Sequence, residues 1–279
     1  MRLSPIVRRL AIAVAAVGIS VAASAADSTL PTLWLIGDST VNNGSGKGDS
    51  GLWGWGAPLA GYFDRAKIAV QNRARGGRSS RTFFTEGLWD AVAAELKPGD
   101  FVLMQFGHND GGPLEGPKAR ASLKGNGDET KEAAVEGSDT KETVHSYGWY
   151  LRKYIADTKA KGATAIVLSQ IPRNMWKEEK VARASGDYGK WATEAARAGG
   201  ALFIDLNEIV ARQYEADGRQ KVGAEFFTEK DHTHTTAAGA RVNAGAVVEG
   251  IKALKECPLA GLLAPAPEEW KPQPPAGAQ

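Results

Sequence analysis

Four short clusters in this chain hold the residue types that acyl chemistry needs. The first is Gly37-Asp38-Ser39-Thr40. A serine just past a strand can present its hydroxyl at a sheet edge, and its own N–H can help bind an oxyanion. The spacing is not G-x-S-x-G, so the nucleophile elbow of α/β-hydrolases is absent. Alone, the tetrapeptide reads more simply as a turn with an Asx or helix-cap role. The second cluster is Asn72-Arg73-Ala74-Arg75-Gly76-Gly77-Arg78-Ser79-Ser80-Arg81. Its glycines let backbone N–H groups approach a ligand, and its arginines suit carboxylates. The plain alternative is a glycine turn with solvated arginines, and no G-x-x-x-x-G-K-[ST] phosphate loop is present. The third is Gly107-His108-Asn109-Asp110, where an Asn amide can donate to developing negative charge or satisfy a local turn. The fourth is Asp231-His232-Thr233-His234-Thr235. An Asp and a His three residues apart can meet across a tight turn, the carboxylate orienting the imidazole and stabilising its protonated form. Two histidines and an aspartate also suit a metal. The other histidines are only His108 and His145, with no second Asp/His cluster, so no metal and no cofactor is expected.

Short apolar runs place these clusters. Residues 32–36, 68–70 running into Asn72, 101–106, 165–168 and 201–204 are brief, branched or aromatic, and closed by polar or glycine residues. They read as buried strands of a parallel sheet. Helical patterns lie between them at 57–64, 88–96, 144–161, 188–198, 206–216 and 235–254. The alternation predicts an α/β chain: a three-layer α/β/α sandwich around a flavodoxin-like five-stranded parallel sheet. Ligands of such sheets gather beyond the carboxyl ends of the strands. Three clusters follow successive strands there, and the fourth precedes the last helix. Together they would supply a nucleophile, a base, an orienting acid and oxyanion donors, the set required for acyl transfer to water.

The remaining segments bound the class of protein. Arg2, Arg8 and Arg9, an apolar run from Leu10 to Val21, and Ala23-Ser24-Ala25 read as a secretory signal peptide over residues 1–25. The run is shorter than the roughly 20 residues a membrane span needs. The protein is therefore expected to be exported, periplasmic or secreted, with no membrane attachment after cleavage. The whole chain carries 34 basic and 32 acidic residues. The leader holds three arginines and no acids, so the mature chain has 31 against 32, and a nucleic-acid partner is not expected. One cysteine, Cys257, excludes an intrachain disulfide and reads as a small buried hydrophobe. Residues 42–56 are rich in Gly and Trp and read as a long loop. Residues 111–143 show little apolar periodicity and read as an insertion, of a length that often covers a site. The tail, 264–279, holds five prolines and reads as extended or disordered. The domain is thus expected over 26–263, as a monomer.

Ser39, Gly77, Asn109 and Asp231-x-x-His234 together resemble the blocks of the SGNH/GDSL hydrolases, over about 33–254. The resemblance implies Ser39 as nucleophile, His234 as general base and Asp231 as its orienting acid. It implies an oxyanion hole of the Ser39 N–H, the Gly77 N–H and the Asn109 side chain. Gly76 stands beside Gly77; Gly77 is taken because it directly precedes Arg78-Ser79. The combination of G-D-S-T, N-x-A-x-x-G-R-S-x-R, G-H-N-D and D-H-T-H-T is similar to the rhamnogalacturonan acetylesterases, which remove acetyl groups from pectin. That implies an acetylated acidic polysaccharide or oligosaccharide as partner. Galacturonate is anionic, so Arg78, Arg81, His108 and Arg173 are candidate substrate contacts. Trp53 is a further one, by stacking on a sugar face, although it and Trp55 read as well as packing on the first helix. Two alternatives stay open: an esterase of xylan acetate, lipid or thioester on the same triad, or a carbohydrate-binding protein that has lost the reaction.

Overall fold

The computed structural model describes residues 30–184 and 186–272. The leader and residues 273–279 of the tail lie outside them. Five strands, β1 (Thr32–Gly37), β2 (Ala69–Asn72), β3 (Phe101–Gln105), β6 (Thr164–Leu168) and β9 (Leu202–Ile204), form one sheet in the order β2-β1-β3-β6-β9. Every neighbouring pair is parallel. Two small antiparallel hairpins stand apart: β4 (Thr130–Ala134) with β5 (Lys141–His145), and β7 (Trp176–Lys177) with β8 (Lys180–Val181).

Side chains alternate across a strand, and here both faces are covered. Leu33, Leu35, Leu103, Ile166 and Ile204 pack on one face against α1 (Gly56–Leu59), α6 (Leu206–Asp217) and α8 (Ala237–Ala253). A single turn, α7 (Arg219–Lys221), follows α6. Trp34, Ile36, Val102, Met104 and Val167 pack on the other face. They meet Phe83 of α2 (Ser80–Thr85), Trp89 of α3 (Leu88–Glu95), Tyr154 of α4 (Tyr147–Ala160) and Ala196 of α5 (Tyr188–Gly199). Each fully buried aliphatic or aromatic side chain contributes about 1.5–3 kcal/mol through removal from water. This is the three-layer α/β/α sandwich that the alternation predicts.

The helix ends obey local chemistry. Ser146 caps α4 by accepting from Trp149 N–H, Asp205 caps α6 through Glu208 N–H, and Thr236 caps α8 through Gly239 N–H. Ser79 and Thr82 form a reciprocal capping box at the start of α2, a helix the apolar periodicity does not announce.

One segment departs from expectation. Residues 111–143 are not one irregular loop. Their second half contributes β4 and the start of β5, and the hairpin's Ala133 and Val144 are buried. The insertion is laced to the start of α4 by Tyr147 N–H to the Leu123 carbonyl and Gly148 N–H to the Gly125 carbonyl. Alternation in a strand with exposed polar residues on one face is too short here to stand out from loop composition. The described part of the tail, 264–272, lies against the domain. Ala264 and Glu268 donate to the Tyr62 and Gly61 carbonyls, and Trp270 meets Trp53 edge-on at 4.9 Å. Among the described residues no helix is long and apolar enough to cross a membrane.

Candidate active site

β1 lies between β2 and β3, so the loops after these three strands are neighbours at one end of the sheet. This is the switch point where open α/β sheets bind ligands. Gly37 ends β1 against Gln105 of β3; a Cβ there would sit 2.5 Å from the Gln105 carbonyl oxygen, so only glycine lets the strands approach. The chain then turns at once, with Val41 and Asn42 N–H both donating to the Asp38 carbonyl. Ser39 stands in that turn. A buried relay holds the turn: Trp55 Nε1 donates to Gln105 Oε1 at 3.0 Å, Gln105 Nε2 donates to Thr40 Oγ1, and Thr40 Oγ1 donates to Asp38 Oδ1 at 2.7 Å.

The fourth cluster arrives from the far end of the sequence. Trp53 N–H donates to the Thr235 carbonyl at 2.8 Å and Thr235 Oγ1 donates to the Trp53 carbonyl at 3.0 Å. This bridge fastens residues 231–235 beside the Ser39 turn. Ser39 Oγ lies 2.8 Å from His234 Nε2, and His234 Nδ1 lies 2.7 Å from Asp231 Oδ2. With Nδ1 carrying the ring proton and donating a hydrogen bond to Asp231, Nε2 is left as acceptor for the Ser39 hydroxyl. Asp231 Oδ1 accepts from Thr233 N–H at 2.8 Å and His234 N–H at 2.9 Å. Partial burial works to raise the Asp231 pKa, but these N–H bonds and the imidazole outweigh it, so the carboxyl lies below its ordinary value and stays ionised.

Ser39, Gly77, Asn109 and His234 line one cavity of about 380 Å³, together with Asn43, Gly44, Arg75, Gly76 and Arg120. Arg78 N–H closes a four-residue turn onto the Arg75 carbonyl at 3.3 Å, with Gly77 third in it at φ 78°. A type II turn demands that left-handed value and so favours glycine. Asn109 Nδ2 donates to the Arg78 carbonyl at 2.9 Å, which orients the amide and leaves its second N–H for a ligand. Among the described residues the Ser39 and Gly77 N–H groups donate to no other group.

Asp110, beside Asn109, is fully buried. It accepts from Ser80 N–H at 3.1 Å, from Ser80 Oγ, and from Ser122 Oγ at 3.0 Å, tying the Asn109 loop to α2 and the insertion. Burial pushes its carboxyl up to about 6, against the lowering pull of the two serines. The folded chain then binds more protons here than the unfolded chain. The stability this group contributes is present near pH 4 and is lost as pH rises through 6. Relative to Asp110→Asn, the parent protein should lose on the order of 2–3 kcal/mol between pH 4 and pH 7. Urea titrations of both proteins at the two pH values measure it. A difference that does not change with pH would refute the assignment.

The expected substrate contacts divide. Arg81 is corrected outright: it is 3% exposed, bidentate to Glu142 at 2.8 Å, and bonded to the Leu114 and Ala121 carbonyls. A guanidinium so enclosed holds the insertion to α2 and has no face left for a ligand. Trp53 is corrected as well. Its ring is buried under Gly48 and Trp270, so it packs and does not stack on a sugar; Trp55 is fully buried. Arg78 spends its charge on Glu86 at 2.8 Å and its Nη1 on the Gly76 carbonyl, pinning its own loop. His108 and Arg173 line a second cavity beside the first. Burial holds the His108 imidazole below its ordinary value, with the Asp38 carboxylate pulling the other way. Two contributors went unseen in the sequence. Gln105 carried a signal, a polar residue within the apolar run Phe101–Phe106. Arg120 carried none, since the insertion has no pattern that would aim a side chain.

Residues 35–242 match the family model described as the GDSL-like Lipase/Acylhydrolase family. The chain is 34% identical over 220 residues to a rhamnogalacturonan acetylesterase of Emericella nidulans, covering 79% of this chain and 84% of that one. It is 30% identical over 225 residues to a probable rhamnogalacturonan acetylesterase, YesY, of Bacillus subtilis, covering 80% and 93%. Among solved structures, the Bacillus subtilis protein YxiM superposes with a TM-score of 0.64 at 26% identity, covering 80% of this chain and 56% of that one. The acetylxylan esterase Axe2 of Geobacillus stearothermophilus superposes at 0.52 with 19% identity, covering 81% and 95%, a likeness of fold alone.

Proposed function

The chain belongs to the GDSL-like lipase/acylhydrolase family, and on that premise we propose that it is an exported serine acetylesterase of pectic polysaccharide. The observation that carries the reading is the unbroken run from the Ser39 hydroxyl through His234 to Asp231, opening into a cavity with Gly77 and Asn109. The two relatives above, described as rhamnogalacturonan acetylesterases, support the substrate.

Ser39 Oγ attacks the acetyl carbonyl carbon as its proton passes to His234 Nε2. The carbonyl oxygen becomes an oxyanion and accepts from the Ser39 N–H, the Gly77 N–H and Asn109 Nδ2. The C–O bond to the sugar breaks, and the sugar oxygen takes the proton from His234. A water then gives its proton to His234, attacks the acetyl-Ser39 ester, and acetate leaves as Ser39 regains its hydrogen. Asp231 holds the imidazole in the required tautomer throughout.

Asn109→Ala should lower kcat roughly 100- to 1,000-fold with little change in KM, because the amide acts on charge that exists only in the transition state. Steady-state acetate release measures this, and unchanged turnover removes Asn109 from the oxyanion hole. The decisive substrate test uses the exported protein, whose mature N-terminus this reading puts at Ala26. Acetate release is expected to be fastest from acetylated rhamnogalacturonan, compared with acetylated xylan and acetylated homogalacturonan. Faster release from xylan would make the protein an esterase of neutral polysaccharide.

A further inference from the structure

The 2.8 Å contact between Ser39 and His234 joins two distant stretches of chain, and one short spacer bonds to both. At one end of it Trp55 N–H donates to the carbonyl of Thr40, next to Ser39, at 2.9 Å. At the other end Trp53 gives its N–H to the Thr235 carbonyl and accepts from the Thr235 hydroxyl, next to His234. Gly54 seats the middle of the spacer on the Ser39 turn; a Cβ there would lie 2.3 Å from the Val41 carbonyl oxygen. Residues 231–235 have a further tie, Asn174 N–H to the His232 carbonyl at 2.8 Å, but it lies on the Asp231 side of His234. The position of Trp53 therefore bears directly on the distance from the base to the nucleophile.

What covers Trp53 is the end of the chain. Ala264 and Glu268 N–H bond to the Tyr62 and Gly61 carbonyls, each at 2.9 Å, and lay the tail beside α1. Pro265 and Pro267 fall between these two donors. Proline has no N–H to strand and a fixed φ, so the segment loses little freedom on docking. Gly61 admits it: a Cβ there would lie 2.9 Å from the Glu268 carbonyl oxygen. Residues 265–271 are exposed except Trp270, whose ring is half-buried. That ring meets Trp53 edge-on at 4.9 Å, and the Arg241 guanidinium of α8 lies 5.8 Å from its centroid. Both contacts are favourable arrangements for an indole. The Arg65–Glu268 ion pair is exposed on both sides and adds little. Trp270 thus sits against the spacer and against the helix that follows residues 231–235.

We infer that the C-terminal strap, residues 264–272, serves catalysis, with Trp270 a positioning residue that acts through Trp53 and Thr235 on His234. Holding a base within hydrogen-bond reach of its nucleophile is where an enzyme gains most from fixed geometry. Trp270 lines no part of the triad cavity, so its effect falls on the reacting distance and not on substrate contact. The inference deepens the serine esterase reading and rests on it for the role of His234.

The test uses the full chain and two readouts: hydrolysis of 4-nitrophenyl acetate and the rate at which a fluorophosphonate labels Ser39. In Trp270→Ala, kcat and the labelling rate should both fall about 10- to 100-fold, the scale set by a shift of up to about 1 Å in a catalytic group. KM should stay within about twofold, since no cavity residue changes. The fraction of protein labelled at completion should equal the parent's, because every molecule still holds a folded site. Trp270→Phe, which keeps an aromatic edge on Trp53, should recover most of the rate. Gly61→Val, which displaces the strap without touching Trp270, should reproduce the Trp270→Ala result, and it decides if Trp270→Ala does not fold. Parental kcat and labelling rate in these variants overturn the proposal. So does a drop in the fraction labelled at an unchanged rate per site, which is what a merely structural strap would give. The parent separates the two readings. If it neither labels nor hydrolyses the ester, the serine esterase reading falls and takes this role of Trp270 with it. If it does both and the variants match it, the strap alone is overturned.

Discussion

Ser39→Ala should lower kcat by roughly 10⁶-fold, to the level that oxyanion donors and substrate binding sustain without a nucleophile. The alanine removes the one hydroxyl held 2.8 Å from His234 Nε2 and leaves the Ser39-position N–H, Gly77 and Asn109 in place. Water can occupy the space, but it lacks the fixed position that makes the serine attack nearly unimolecular. The fold should be indifferent to the change, because the turn is held by Asp38, Thr40, Gln105 and Trp55 and not by the Ser39 side chain. A fluorophosphonate probe should label the parent at Ser39 and leave the variant unlabelled. Turnover above about a hundredth of the parent's, far more than a missing nucleophile permits, would show that another group attacks the ester.

Asp231→Asn is the more discriminating change, with an expected loss of roughly 10⁴-fold in kcat. Asparagine keeps an oxygen that can accept from the Thr233 and His234 N–H groups, so the loop should survive. What changes is the group facing His234 Nδ1, 2.7 Å away. An amide NH₂ there donates, Nδ1 must accept, and the ring proton moves to Nε2. Nε2 can then no longer take the proton from Ser39. The ring would stand in the same place in the wrong tautomer. A kcat within about tenfold of the parent's, with the loop intact, would mean that the carboxylate only positions residues 231–235; tautomer control predicts far more.

Much of the fold was legible because its signals are local. A strand buried on both faces is a short apolar run, and a capped helix announces its start with Ser, Thr or Asp. Thus β1, β3, α5 and α6 begin within a residue or so of where patterning puts them. The hairpin β4–β5 was not legible, since a two-stranded ribbon with one solvated face has the composition of a loop. Types and spacing offered Asp231 and His234 as a pair three apart, while the resemblance to the SGNH/GDSL blocks named Ser39, His234 and Asp231 as the candidate triad. Arg78, Arg81 and Trp53 show the limit. Their types suit a sugar acid, but a glutamate 61 residues away claims Arg81, and Trp270 covers Trp53.

By itself the order of residues determined the layered α/β architecture and the chemistry on offer, because backbone periodicity and functional-group identity are properties of short stretches. Tertiary structure alone decided which groups line the cavity. Placing β1 between β2 and β3 brings Ser39, Gly77 and Asn109 together, and the Trp53–Thr235 bridge delivers His234 across 195 positions of chain. The same packing pairs Arg73, Arg78, Arg81 and Arg183 with carboxylates and gives Arg120 and Arg173 none among the described residues. Charge pairing is settled by through-space distance, which no stretch of sequence contains.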